Sequence, residues 1–200
     1  MKYRFFTILL LQLMVTALVA QNQEESLPFQ EIPDYPEAYT AEAVAARMAD
    51  GLGFRYYWAT EGLREEDLAF RPSEAARTSE ETIRHIYGLS VIIVNAVFEK
   101  ANESGAEDGS ELTFEQLRRA TLNNLKLASD KLRASPEGAL NGYEVVFKRG
   151  ETSRSFPFWN LINGPIADAI WHTGQVVSFR RSSGNPINPK VSVFSGRLVE

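Results

Sequence analysis

Apolar residues recur at three- and four-residue spacing in four stretches of this chain, and each stretch predicts an amphipathic helix. The first opens at Thr40, a capping residue, and runs to about Gly62 with Val44, Met48, Leu52, Tyr56 and Ala59 on one side. Gly51 and Gly53 weaken its middle. The second opens at Thr78 with Glu81 three residues on, the reciprocal capping arrangement in which each side chain serves the other's backbone N–H. It runs to about Asn102 and is apolar nearly all round, through Ile83, Ile86, Leu89, Ile92, Ile93 and Val97, which predicts burial on most sides. Thr113 and Gln116 repeat the capping pattern for a third helix reaching about Arg133, with Leu117, Leu125 and Leu132 inward. Pro165 stands in the first turn of the fourth, after Asn163-Gly164; that helix ends near Ser182, with Arg180 and Arg181 at the negative end of its dipole and Gly184 as the stop.

Between the third and fourth helices the period changes. Tyr143, Val145 and Phe147 alternate with polar residues apart from Val146, Gly150 sits in a turn, and Thr152 to Phe156 can return, which predicts a small β-hairpin. The stretch 21–39 holds Pro28, Pro33 and Pro36 and reads as an extended lead-in that wraps the domain through Leu27, Phe29, Ile32 and Tyr35. Residues 185–200 carry Pro186 and Pro189 and no clear element. The expected fold is all-α: one helical-bundle domain over 40–184, with the hairpin as an insertion.

Composition changes this picture in three places. Lys2 and Arg4, an uncharged run from Phe5 to Val19 and the small Ala20 form the pattern of an export signal over 1–20, so the mature chain is expected to begin near Gln21, in the periplasm or outside the cell and free of the membrane. The run is too short for a spanning helix, which needs about 20 apolar residues. The net charge of −5, with no long basic run, argues against nucleic acid as a partner. The 200 residues contain no cysteine, which excludes disulfides, thiolate nucleophiles and cysteine-ligated zinc.

The chemistry is concentrated in a few residues. The chain has 2 histidines, His85 amid the apolar residues of the second helix and His172 in the fourth. Asp168, His172, Gln175 and Phe179 share one face of the fourth helix. An Asp/His pair four residues apart can bind one cation or can be a hydrogen-bonded couple, and spacing alone leaves both readings open. A third ligand from another helix would complete an open three-ligand site, and His85 is the one remaining histidine. Glu81 and Gln175 are the candidates for a general base; the capping role of Glu81 and an orienting role of Gln175 on His172 are the competing readings. Phe156, Phe158, Trp159 and Trp171 are a candidate aromatic pocket wall or ordinary core.

The segment "LAFRPSEAARTSEETIRHI" resembles the start of the second helix in DinB-like proteins, a superfamily of metal-binding four-helix bundles that includes the YfiT-type thiol-dependent transferases. The family pattern has an Arg-Pro in the loop, a Ser or Thr cap and a histidine seven residues later, matched here by Arg71-Pro72, Thr78 and His85. On the last helix the pattern is histidine, three residues, histidine, any residue, Gly-Gln. His172-Thr173-Gly174-Gln175 matches its second half, and Asp168 stands where the first histidine is expected. The resemblance covers 40–184 and implies an up-down-down-up bundle that binds a divalent metal through His85, Asp168 and His172. Zinc is the first choice, with nickel or iron also suited to two histidines and a carboxylate. Parallel second and third helices need a connection along the bundle, and residues 103–112 reach only about 33 Å fully extended. The expected activity is metal-dependent hydrolysis of an unassigned small molecule. Thiol transfer fits an exported chain less well, since small thiols are chiefly cytosolic. The alternative is an exported, non-catalytic binding or interaction module with a vestigial metal site. A homodimer is among the open assemblies.

Overall fold

The computed structural model describes residues 26–105 and 109–200. The expected export signal, and residues 21–25 of the lead-in, lie outside the described residues. The elements follow in the order α1 (Ala41–Thr60), α2 (Glu65–Ala69), α3 (Ser79–Val97), β1 (Asn102–Glu103), α4 (Phe114–Arg133), β2 (Glu144–Arg149), β3 (Thr152–Pro157), α5 (Phe158–Leu161), α6 (Ala167–Ser182), β4 (Val191–Ser192) and β5 (Arg197–Leu198). The chain is thus mostly helical, with two small sheets.

The caps form as the local sequence dictates. Thr40 Oγ1 accepts from the Ala43 N–H at 3.1 Å. Thr78 and Glu81 exchange bonds of 3.1 and 2.7 Å, and Thr113 and Gln116 exchange bonds of 3.3 and 2.9 Å. Each satisfies N–H groups that a helix start leaves unpaired. Helices α1 and α3 each pack against both α4 and α6. Leu52 and Tyr56 of α1, Ile83, Ile86 and Ile93 of α3, and Leu117, Leu122, Leu125 and Leu132 of α4 are fully buried between them. Asn124 of α4 donates to Ser90 of α3 at 3.1 Å, each near the middle of its helix. Arg118, early in α4, donates to Thr60 at the end of α1 at 3.0 Å, while Arg133 at the end of α4 reaches Asp50 of α1 at 2.6 Å.

Several sequence expectations are corrected. Val44 is 47% exposed and does not belong to the inward stripe of α1. Helix α3 ends at Val97, short of Asn102. Glu99 turns the chain with φ 55°, and Asn102 is claimed by a sheet, pairing with Phe147 while its side chain donates to the Val146 carbonyl at 3.0 Å. The connection to α4 therefore starts at Phe98, longer than the 103–112 span taken from the sequence. Strand is not confined to the hairpin. β1 adds a parallel third strand to β2 and β3, and the tail forms its own pair, β4 with β5. Within the hairpin Tyr143 and Val145 are buried, whereas Phe147, two residues further along the same face, is 42% exposed.

The lead-in does wrap the domain, through Phe29 and Ile32. Phe29 adopts φ 73° and lays its ring on Gly53, where an added Cβ would stand 2.5 Å from a ring carbon. That close approach is what the glycine in mid-helix serves. Ile32 N–H donates to the Gly196 carbonyl at 2.8 Å, tying lead-in to tail. Tyr35 is not part of this packing: it is 81% exposed, with the Arg47 guanidinium 5.0 Å above its ring. Arg180 also has a role other than the one expected. It is buried, and instead of facing its own helix dipole it donates to the carbonyls of Trp58, Ala59 and Glu61 at 2.9–3.1 Å, closing the end of α1.

Candidate metal centre

Helix α6 begins after a break. Residues Ile162–Ile166 form a π-type turn, and Gly164 leaves helical geometry (φ −96°, ψ −106°) ahead of Pro165. The helical run therefore starts earlier than expected, at Phe158, and is re-set at Gly164. Asp168 falls in the first turn of α6, at the positive end of the helix dipole. His172 lies one turn further on the same face. Helix α3, packed against α6, supplies His85.

The three residues converge. Asp168 Oδ2 lies 3.3 Å from His85 Nε2, and Asp168 Oδ1 lies 3.3 Å from His172 Nε2. The two imidazoles meet edge-on with ring centres 4.6 Å apart. One ligand atom from each residue lies within 4.8 Å of the others. His172 Nδ1 is 2.7 Å from Gln175 Oε1. An amide oxygen only accepts, so Nδ1 carries a proton, and in the neutral form of the ring Nε2 is the lone pair that faces Asp168. A lone pair facing a carboxylate is repulsive unless a proton or a metal cation stands between them. The spacing fits one: two ligands at 2.0–2.2 Å from a tetrahedral ion stand roughly 3.4 Å apart. Two imidazoles and a carboxylate are an ordinary donor set for zinc, nickel or iron. The residues present therefore fit a divalent cation.

The hydrogen-bonded couple expected as the alternative, Asp168 with His172 alone, is not what forms. Asp168 is shared between both histidines. Burial pushes the His85 imidazole below its ordinary pKa, and the charges of His172 and Arg77 push the same way against the opposing bond to Asp168. This favours the neutral ring, the form that ligates metal. Side-chain exposures of 34% for His85, 39% for Asp168 and 17% for His172 leave the cluster open to small molecules on the carboxylate side.

His85 also lines a cleft of about 640 Å³ with Arg71, Arg77, Arg84 and Glu81. The carboxylate of Glu81 is engaged with the Thr78 backbone, a bond that also lowers its pKa, so it is a helix cap and not a free base. The aromatic wall does not form as a unit. Phe158 is buried, but Trp159 and Trp171 are 76% and 72% exposed and Phe156 is 37% exposed. Among the buried polar centres that escaped the sequence reading are Asp67, held by Arg64, Ser183 and Asn185, and Arg180. Asp67 does follow the charged run Arg64-Glu65-Glu66, but nothing in that run marks it as buried.

No protein-family profile matches the sequence, and no curated protein does. Among solved structures, the crystal structure of a DinB-like protein from Bacillus subtilis (YjoA) is similar, with a TM-score of 0.50 and 16% identity over 76% of this chain and 98% of that one. At that identity the likeness is one of fold: this chain has a DinB-like fold.

Proposed function

We propose that this chain binds a divalent metal ion through His85, Asp168 and His172 and is a metal-dependent hydrolase of a small substrate. One observation carries the reading: both oxygens of Asp168 stand 3.3 Å from imidazole nitrogens, and Gln175 engages the Nδ1 of His172, which leaves its Nε2 facing the carboxylate. Gln175 fixes the His172 tautomer and ring plane, and helix packing brings His85 to the other oxygen. Three protein ligands leave positions for water and substrate, and a divalent ion there polarises a carbonyl and lowers the pKa of water towards about 7. Zinc is the first candidate, nickel or iron the alternatives. In this reading the four long helices run up-down-down-up. The cross-helix bonds Asn124–Ser90, Arg118–Thr60 and Arg133–Asp50 favour that order. The reading also takes the chain to be exported on its 1–20 segment.

Metal analysis of tag-free protein tests the central claim. We expect about one divalent ion per chain, lost in His85→Ala. Protein free of stoichiometric metal after purification and after zinc addition would end the reading. A second reading, an exported binding module without turnover, is favoured by the engagement of Glu81 in its cap, which leaves no free carboxylate as base in the cleft beside His85 except the exposed Glu74. Zinc-loaded protein that hydrolyses none of a panel of esters and amides would favour it.

A further inference from the structure

We propose that the cleft beside His85 is an oxyanion subsite, in which Arg71 and Arg77 hold a carboxylate or phosphate group of the molecule whose reacting end lies at the metal centre. The proposal rests on the metal reading for what happens at that end, but the anion subsite itself does not need the metal.

The cleft of about 640 Å³ has His85 as one wall, so whatever fills it touches a candidate metal ligand. Three guanidiniums line it. Arg84 is committed, bonded to Glu80 at 2.9 Å and to the Gly109 carbonyl. Arg71 and Arg77 are exposed and make no hydrogen bond or ion pair among the described residues. Their charge is felt in the cleft nonetheless, since both help to depress the pKa of Glu81. Glu81 forms no ion pair with either within the described residues, and one of its oxygens takes the Thr78 N–H at 2.7 Å. That leaves the exposed Glu74 as the other acid in the cleft. Glu80 balances Arg84, and Glu74 and Glu81 offset the charge of the other two, so what the cleft offers an anion is not a net positive field but two guanidiniums with no bonded partner among the described residues. Guanidiniums also offer the planar fork that matches carboxylate and phosphate oxygens. Gly88 lines both this cleft and a second of about 700 Å³ floored by Val91, Ile92 and Phe147, and it has open space where a side chain would begin. An anion with an apolar body fits across that saddle.

The test is calorimetric titration of succinate, inorganic phosphate and neutral succinamide into the full mature chain, both chelator-treated and zinc-loaded, at one fixed ionic strength. The variants are Arg71→Gln/Arg77→Gln and, as a charge control, Arg181→Gln/Lys190→Gln at exposed positions outside the cleft. We expect saturable binding of succinate or phosphate to metal-free protein, weakened on the order of 10-fold in the Arg71/Arg77 variant and little changed in the control. The stronger of the two anions identifies the group. Equal weakening by the control, equal binding of succinamide, or no saturable binding in either state would overturn the subsite. Loss of anion binding in the Arg71/Arg77 variant of a protein that takes up no zinc would leave the subsite standing and remove the metal reading.

Discussion

His172 Nδ1 lies 2.7 Å from Gln175 Oε1, one turn along the same helix, and this bond decides which nitrogen of the histidine faces the cluster. An amide oxygen can hold the imidazole only by accepting its proton, so in the neutral ring the second nitrogen is left as a donor of electrons to a cation. Gln175→Ala should therefore weaken metal binding by about 10- to 100-fold without abolishing it, while Gln175→Glu should preserve or strengthen it. Competition with a chromophoric chelator measures both. An unchanged affinity in Gln175→Ala would remove Gln175 from the site.

His85→Ala separates a ligand from a core residue. The side chain is 34% exposed and its hydrogen bond among the described residues is to Asp168. The metal-free variant should melt within a few degrees of the metal-free wild type, because truncating a partly exposed side chain costs little. Zinc should raise the melting temperature of the wild type and not of the variant, since ligand binding to the native state stabilises it by mass action. Differential scanning fluorimetry with and without zinc reads both.

Asp67 ties the stability of the fold to pH. Its carboxylate is fully buried and takes bonds of 2.9 Å from Arg64, 2.5 Å from Ser183 and 2.7 Å from Asn185, which hold its pKa well below the ordinary carboxylate value, the Arg64 bond contributing most. A depressed folded-state pKa stabilises above the unfolded value near 3.9 and loses that stabilisation as pH falls below it. The wild type should thus destabilise steeply on acidification below about pH 4. Asp67→Asn should be weaker by roughly 3–5 kcal/mol at pH 7, with a shallower acid limb. Urea melts across pH 3–7 give both curves.

Gly53 and Phe29 should be coupled. Gly53→Ala gains helix propensity of about 1 kcal/mol but drives a Cβ to 2.5 Å from the Phe29 ring. The overpacking costs roughly 1–3 kcal/mol, so the net change should be destabilising. In a Phe29→Ala background the clash is gone, and the same Gly53→Ala change should stabilise. A double-mutant cycle by urea denaturation shows the reversal of sign or its absence.

Export gives a prediction independent of the site. Chain recovered from its native host should have an intact mass corresponding to a start near Gln21. A full-length mass would contradict the reading of 1–20 as a cleaved signal.

What the sequence determined by itself is what depends on neighbours in the chain. The caps at Thr40, Thr78–Glu81 and Thr113–Gln116 need residues within one turn, and all three form. The spacing of Asp168 and His172 fixed their shared face before any fold was known, since helix geometry alone does that. Only packing of α6 on α3 could bring His85 from 83 residues away onto the second oxygen of Asp168 and so replace an isolated couple by a three-residue cluster. The same holds for the features that were misread or missed. Arg180 meets carbonyls 119–122 residues distant in the chain, and Asp67 meets Ser183 and Asn185 across 116 and 118 residues. Gly53 is explained by a ring that the lead-in delivers from outside the helix. Asn102 left its helix for a strand whose partner comes 45 residues later. Periodicity and capping carry no information about such partners. A buried charge or a mid-helix glycine becomes intelligible only when tertiary packing supplies the group that satisfies it.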